Sequence, residues 1–190
     1  MPDPRIPPLP RAAMPERWRA AAETAEAVRG ESTLIEVLAQ APELLSWYYD
    51  GFYAEVFFKG RVERRVKELL RLRLSTLHGC AFCNRGNTRS AEEAGVTAAQ
   101  IAAIGDPAAA CFDERDRAVI ALADEMALPN MAGELSHEAA ARLRRFFSDA
   151  EMVELAMVAA VLTGMAKMLF VFDLVSREAT CTIGPHAARG

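Results

Sequence analysis

One stretch of the sequence, residues 61–95, constrains the fold most, because it specifies two helices and the break between them. From Arg61 to Leu77 the apolar residues recur at the three- and four-residue spacing of a helix. His78 and Gly79 interrupt this pattern, and Gly95 is placed to end the next helix. We therefore predict a helix–turn–helix over this stretch.

Two cysteines lie at the start of the second helix. Cys80 and Cys83 are three residues apart, a spacing that places both on one side of a helical turn, so their sulfurs can meet. Unpaired N–H groups and the dipole at a helix start favour a thiolate. Attack of a thiolate on a peroxide gives a sulfenic acid, with which a second thiol condenses to a disulfide. The pattern thus predicts a reactive thiol pair.

The rest of the chain also carries helical signals. Capping boxes begin at Thr33, Thr97 and Ser148, and prolines or glycines stand at several expected helix ends. No segment alternates as a strand does, and the sequence contains neither an internal repeat nor a glycine-rich phosphate loop. We predict an all-α fold. Its further helices are expected at 16–29, 33–41, 42–60, 97–105, 113–128, 136–147 and 148–172.

A chain of 190 residues can form one domain whose core needs no disulfides. Residues 1–30 comprise a proline-rich arm, expected to be loose or draped on a neighbouring subunit, and a first helix. Residues 31–178 are expected to form the main helical domain. Residues 179–190 have the composition of an irregular tail.

The charge pattern narrows the range of partners. The net charge is −4, and basic residues are interleaved with acidic ones, so the basic patch that phosphates need is not expected. The N-terminus lacks the apolar core of a signal peptide. We therefore expect a cytoplasmic protein, in reducing surroundings, with neither nucleic acid nor membrane as a partner.

The most apolar run of the chain is 155–172. Glu154, Lys167 and Asp173 place charges in or beside it. Together with the Gly164 interruption, these charges argue against a membrane span. We expect a central helix that is buried on all sides or placed at a subunit interface.

Several residues have two interpretations. Glu68 lies opposite the apolar stripe of its helix, with Arg64 and Arg71 one turn away on either side, which on periodicity alone predicts a solvated ion-pairing residue. Arg73 lies inside the stripe and must reach solvent or a carboxylate. Its candidate partners are Asp124, Glu125 and Glu151. The aromatic residues of 47–53 suit a core helix, although they exceed what one buried stripe needs and could form a pocket wall.

A zinc site fits the spacing of the cysteines and histidines less well than a reactive thiol pair does. Zinc normally takes four Cys or His ligands, and His78, Cys80 and Cys83 supply three. The possible fourth ligands, none of which belongs to a paired motif, are Cys111, Cys181, His137 and His186. A thioredoxin-type site needs a βαβ context that the sequence lacks. We predict no metal and no cofactor.

The central motif resembles that of a known family. Glu68-x11-Cys80-x2-Cys83, followed by Asn-Thr-Arg-x-Ala-x-x-Ala-Gly at 87–95, is similar to the signature of the carboxymuconolactone decarboxylase and alkylhydroperoxidase D family. The segment 112–125 is similar to the one that follows the signature in those proteins. The resemblance implies an all-helical fold that assembles as homotrimers or homohexamers, with the active site near a subunit interface.

The resemblance also implies roles for individual residues. In the peroxidase branch the second cysteine attacks the hydroperoxide and the first resolves it, which assigns these roles to Cys83 and Cys80, with Glu68 in the proton relay. The relay histidine expected four residues beyond the second cysteine is Asn87 here, and Phe82 replaces another. An amide cannot shuttle a proton near neutral pH, so either His78 or water takes its place, or the peroxidase is weak, or the thiols serve another purpose.

We expect a thiol-dependent peroxidase that reduces a small-molecule hydroperoxide through a Cys80–Cys83 disulfide and is restored by a thiol or disulfide reductant. The lactone decarboxylase branch of the family typically lacks the cysteine pair. One alternative is a decarboxylase-like lyase on a small cyclic acid, with Arg73 or His78 binding the carboxylate. The other is a non-catalytic, redox-sensing oligomeric module.

Overall fold

Helices make up the regular structure of the computed structural model, which describes residues 2–178. After a 3₁₀ turn at Arg11–Ala13, the α-helices are α1 Glu16–Arg29, α2 Thr33–Leu38, α3 Pro42–Ser46, α4 Arg64–His78, α5 Ala81–Glu93, α6 Ala98–Ala102, α7 Glu114–Met126, α8 His137–Arg144 and α9 Asp149–Val171. A π-helix, Trp47–Phe58, continues α3 without a break. The predicted all-α fold is confirmed. The predicted tail, 179–190, lies outside the described residues.

The central helix is α4, which packs against α5, α7 and α9. Every residue from Val66 to Ser75 is buried, so four charged residues of α4 are buried with the apolar ones: Lys67, Glu68, Arg71 and Arg73. Hydrogen bonds to carboxylates offset the cost of burying two of these cations. Lys67 Nζ donates to Glu154 Oε1 at 2.9 Å, and Arg73 Nε donates to Asp124 Oδ1 at 2.6 Å. Asp124 was one of the three partners predicted for Arg73.

The capping boxes set the starts of two helices. Those at Thr97 and Ser148 form as predicted, with reciprocal bonds between the hydroxyl residue and the residue three positions later. The box expected at Thr33 does not form. Ser32 occupies the cap position of α2 instead, and its hydroxyl donates to Glu36 Oε1 at 2.8 Å.

The long helix α9 is less buried than the sequence predicts. Val153, Met157 and Val171 are each more than half exposed, so burial on all sides is wrong for the single chain. The helix has 23 residues and a mean hydropathy of 1.7 over its most apolar window, enough by length and composition to cross a membrane. Core helices pass the same test. Placement at a subunit interface stays a prediction.

The proline-rich arm lies along its own chain. Arg5 N–H donates to the Phe172 carbonyl at 2.9 Å, and Leu9 N–H donates to the Glu36 carbonyl at 3.0 Å. The expectation of a loose arm is therefore wrong for this segment, whereas draping on a neighbouring subunit stays a prediction. These bonds join the arm to the end of α9 and to α2. The backbone of the arm is extended, so its N–H groups have no partners within a helix and bond to these carbonyls instead.

Candidate active site

The turn between α4 and α5 brings the two predicted thiols together. Gly79 ends α4 with a φ of 63°, a left-handed conformation that glycine adopts without a side-chain clash. Cys80 caps α5, and its Sγ accepts the N–H of Cys83 at 3.2 Å. The two sulfurs form a disulfide, with Cα atoms 5.2 Å apart. Cys80 is fully buried and Cys83 half-buried, so Cys83 is the accessible member of the pair.

Cys83 lines a cavity of about 270 Å³. Most of the wall is aromatic or aliphatic, with a few polar groups, which is the usual form of a small-molecule site. The lining residues are Arg29, Leu34, Tyr48, Tyr49, Tyr53, Ala54, Phe58, Arg71, Leu74, Ser75, His78, Phe82, Cys83, Asn87, Ser90, Leu162, Met165, Ala166 and Leu169.

One face of α5 supplies three polar residues to this cavity. Cys83, Asn87 and Ser90 follow at intervals of four and three residues, so they lie one above another on the helix. Asn87 is 5% exposed. It occupies the middle of the row, about 6 Å along the axis from Cys83 and about 4.5 Å from Ser90 at the rise of an α-helix.

Glu68 lies behind this row and does not itself line the cavity. Its Oε1 accepts from Ser90 Oγ at 2.6 Å and from Arg64 Nε at 3.3 Å, while its Oε2 accepts from Arg71 Nη2. The predicted pairing with both arginines is present. The prediction that Glu68 is solvated is wrong, because α5 covers the face of α4 that carries it and leaves it 0% exposed.

His78, the last residue of α4, also lines the cavity. Its Nε2 accepts the backbone N–H of Leu128 at 3.1 Å. Burial lowers the pKa of His78 to about 4, so the imidazole is neutral near pH 7. A neutral imidazole whose Nε2 already accepts a hydrogen bond is poorly placed to act as a base at that nitrogen.

The aromatic π-helix serves both roles that the sequence left open. Phe52 and Phe57 are buried in the main core, whereas Tyr48, Tyr49 and Tyr53 line the cavity. Burial raises the pKa of Tyr49 to about 12 and that of Tyr48 well above its ordinary value. Both phenols therefore remain protonated hydrogen-bond donors near neutral pH.

Two other predicted candidates lie away from the cavity. Arg73 bonds to Asp124 and to the Ile104 and Gly105 carbonyls, so the expectation that it binds a substrate carboxylate is wrong for this cavity. No group of three or more potential metal ligands occurs within residues 2–178. Cys181 and His186, two of the possible fourth zinc ligands, lie outside that range.

The cavity also contains two functional candidates that sequence reasoning missed. Ser90 could have been found from its spacing, seven residues beyond Cys83 on the same helix face. Arg29 could not, because it comes from the end of α1, more than fifty positions before Cys83, and only packing brings it to the wall.

Comparison with known proteins agrees with the family resemblance of the motif. Residues 42–125 match the model of the carboxymuconolactone decarboxylase family. This part of the chain belongs to that family. The match spans the π-helix, α4, α5 and most of α7, and thus includes Glu68 and both cysteines of the disulfide. No curated protein sequence matches the chain.

Solved structures share the fold of this chain. An uncharacterised peroxidase-related protein with an alkylhydroperoxidase core, from Ralstonia eutropha JMP134, is 16% identical over 97% of both chains, with a TM-score of 0.72. The debrominase Bmp8 with 2,3,4-tribromopyrrole is 18% identical over 92% of both chains, TM-score 0.70. A putative antioxidant defence protein from Agrobacterium tumefaciens is 22% identical, covering 71% of this chain and 91% of its own, TM-score 0.62. At these identities the likeness establishes the fold alone.

Proposed function

We propose that the protein is a thiol-dependent oxidoreductase that reduces organic hydroperoxides at Cys83. The observation that carries the proposal is the pairing of Cys80 with a partly exposed Cys83 that lines an apolar cavity. The position of Cys83 in the first turn of α5 favours its thiolate, and the cavity offers room for a small organic molecule.

The reaction uses the two thiols in turn. The Cys83 thiolate attacks the outer oxygen of the hydroperoxide, the O–O bond breaks, and the departing alkoxide takes up a proton to leave as the alcohol. Cys83 is now a sulfenic acid. Cys80 then attacks the Cys83 sulfur, the hydroxyl leaves as water, and the disulfide forms. A dithiol reductant returns two electrons and two protons and restores both thiols.

In the proton relay, the carboxylate of Glu68 takes up the thiol proton of Cys83 and later returns it to the departing alkoxide. Ser90 connects the buried carboxylate to the cavity, because its hydroxyl donates to Glu68 and lies on the same face of α5 as Cys83. Asn87 lies midway and, as an amide, both donates and accepts hydrogen bonds. It holds water molecules between Ser90 and the Cys83 sulfur, so water carries the proton where the family resemblance implies a histidine.

The protein assembles through α9 into a homotrimer or homohexamer. Six of the exposed residues of α9 recur at alternating intervals of four and three, the spacing of a helix that packs on another helix. They are Val153, Met157, Ala160, Gly164, Lys167 and Val171. The apolar members of this stripe suit a second copy of the chain, and the requirement for a dithiol reductant suits the expected cytoplasmic location.

Cysteine variants test the proposed function. Wild type with dithiothreitol should consume cumene hydroperoxide, Cys83→Ser should be inactive, and Cys80→Ser should accumulate a sulfenic acid that dimedone labels. Cys111→Ser is the matched control, because this free thiol lies in a loop outside the cavity. Unchanged peroxide consumption in the Cys83→Ser variant would contradict the proposal. Full activity of a Cys80→Ser, Cys83→Ser double variant on any substrate would favour the lyase alternative, and no turnover by wild type with any electron donor would favour the redox-sensing module.

A further inference from the structure

The cavity wall carries positive charge that its own residues do not balance. Arg29 and Arg71 line the cavity, whereas no aspartate or glutamate does. Arg71 is paired with Glu68, and Arg64, which also bonds Glu68, has Glu93 as a second partner at 3.6 Å, so the unbalanced charge is that of Arg29. Arg29 forms no ion pair with a carboxylate anywhere in the described part of the chain, residues 2–178. A partly buried guanidinium without a counter-ion is costly, which makes the wall a favourable place for an anion.

The Arg29 guanidinium is held in a defined place at the cavity. Its Nη1 donates to the Phe82 carbonyl at 3.2 Å, and its Cζ lies 4.8 Å from the centre of the Phe82 ring. On α5, a side chain at Gly86 would collide with the guanidinium, so glycine at this position leaves the space that Arg29 fills. A guanidinium has five N–H donors, and the bond to Phe82 uses one of them.

Burial and the neighbouring Arg71 both lower the pKa of Arg29, as expected for a cation in an environment short of negative charge. The protonated phenol of Tyr49 lines the same cavity and can donate a hydrogen bond, whereas the hydroxyl of Tyr48 is hydrogen-bonded to Tyr53. The polar groups on this side of the cavity are therefore donors suited to a carboxylate, for which arginine supplies a two-pronged contact.

The size and apolar lining of the cavity limit the rest of the ligand. A cavity of about 150 Å³ accommodates benzene. The volume here, about 270 Å³, therefore accommodates one ring with several substituents. The aliphatic side of the wall, which includes Leu74, Leu162 and Leu169, suits an apolar body rather than a sugar or a nucleotide.

We propose that the cavity binds a small organic acid, of about one ring, whose carboxylate contacts Arg29. Given the proposed function, the preferred substrates are hydroperoxides that carry such a carboxylate. The carboxylate takes no part in O–O cleavage. It orients the hydroperoxide towards Cys83. This cysteine directly follows Phe82, whose carbonyl accepts a hydrogen bond from Arg29. Arg29 is thus a specificity residue, supplied from outside the stretch that matches the family model.

Binding tests the site without any peroxide. Isothermal titration of wild type should give a benzoate affinity at least tenfold above that of benzyl alcohol, which has a similar size and no charge. Arg29→Gln and Gly86→Ala should each weaken benzoate about tenfold or more and leave benzyl alcohol unchanged. Arg89→Gln, which removes an exposed arginine of α5, should change neither affinity.

The Gly86→Ala variant keeps the proposal testable if Arg29→Gln fails to fold, because it retains Arg29 and only displaces the guanidinium. Circular dichroism establishes which variants are folded. Equal affinities for benzoate and benzyl alcohol, or benzoate affinity unchanged in a folded Arg29→Gln or Gly86→Ala variant, would overturn the site.

Kinetics separates this inference from the proposed function. With cumene hydroperoxide and its 4-carboxylate as a matched pair, Arg29→Gln should lower the ratio of kcat/KM for the carboxylate to kcat/KM for the neutral substrate by about tenfold, mainly through KM. Arg29-dependent benzoate binding without reduction of either peroxide would support the anion site while contradicting the peroxidase. Reduction of both peroxides with no effect of the Arg29→Gln substitution would support the peroxidase and contradict the anion site.

Discussion

At the scale of single residues, the proposed chemistry depends on proton transfer between the buried carboxylate of Glu68 and the sulfur of Cys83, which are not in contact. Glu68 is fully buried, and Ser90 is its connection to the cavity. The two arginines that bond Glu68 stabilise its charge and fix its position. Loss of Glu68 itself would leave the buried cation Arg71 without its carboxylate, so the smaller change at Ser90 is the cleaner test of the relay.

We predict that Ser90→Ala reduces the rate of hydroperoxide reduction by about tenfold or more, because proton transfer by a positioned group typically contributes at least that much. Removing the donor also leaves Glu68 one hydrogen bond short, which should lower the free energy of unfolding by about 1–3 kcal/mol. Thr88→Ala, on the same helix but outside the cavity, is the control. Stopped-flow oxidation of the reduced enzymes measures the rate, and wild-type kinetics in Ser90→Ala would exclude the relay.

His78 makes stability depend on pH. Burial lowers its pKa to about 4 in the folded chain, from an ordinary value of 6.5. Between these values the unfolded chain binds the extra proton, so the free energy of unfolding is highest above about pH 6.5 and decreases as the pH falls towards 4. The contribution of this group is on the order of 1–3 kcal/mol.

We predict that His78→Gln makes the stability loss between about pH 7 and pH 5 smaller, whereas His137→Gln, which changes an exposed histidine, leaves it unchanged. Urea unfolding at the two pH values measures the difference. A stability loss in His78→Gln as large as that of wild type would show that His78 is not the group responsible.

At the scale of helices, local signals predicted where most elements begin and end. Gly30 and Gly79 end α1 and α4 in left-handed conformations, and the hydroxyl caps of α6 and α9 are in place. These features depend on a few adjacent residues and are therefore readable from sequence. The π-helix was not predicted, since its apolar residues also satisfy the spacing of an ordinary helix.

The exposed stripe of α9 leads to a prediction about assembly. Met157→Glu should convert the oligomer to monomers, because it places a charge in the middle of an apolar helix face that we expect to pack on a second copy. Met131→Glu alters an equally apolar but fully exposed loop residue and should keep the wild-type mass. Light scattering after size exclusion measures both variants, and a monomeric wild type would contradict the proposal at once.

At the scale of the whole molecule, the sequence predicted the fold class and the thiol pair but not the cavity. Periodicity placed Glu68 towards solvent, and only the packing of α5 on α4 buries it. Arg29 and the tyrosines reach the cavity from distant parts of the chain, and no local pattern encodes that convergence. The motif could be recognised because its residues lie within one helix–turn–helix. The cavity wall could not, because residues from six helices build it.

The central claim is that Cys80 and Cys83 pass reversibly between dithiol and disulfide as a hydroperoxide is reduced. Fully reduced protein treated with one equivalent of cumene hydroperoxide, alkylated, digested and analysed by mass spectrometry tests it most directly. The peptide that carries both cysteines should lose the mass of two hydrogens and escape alkylation, while Cys111 is alkylated. Intact thiols at both positions, or sulfinic acid without a disulfide, would contradict the claim.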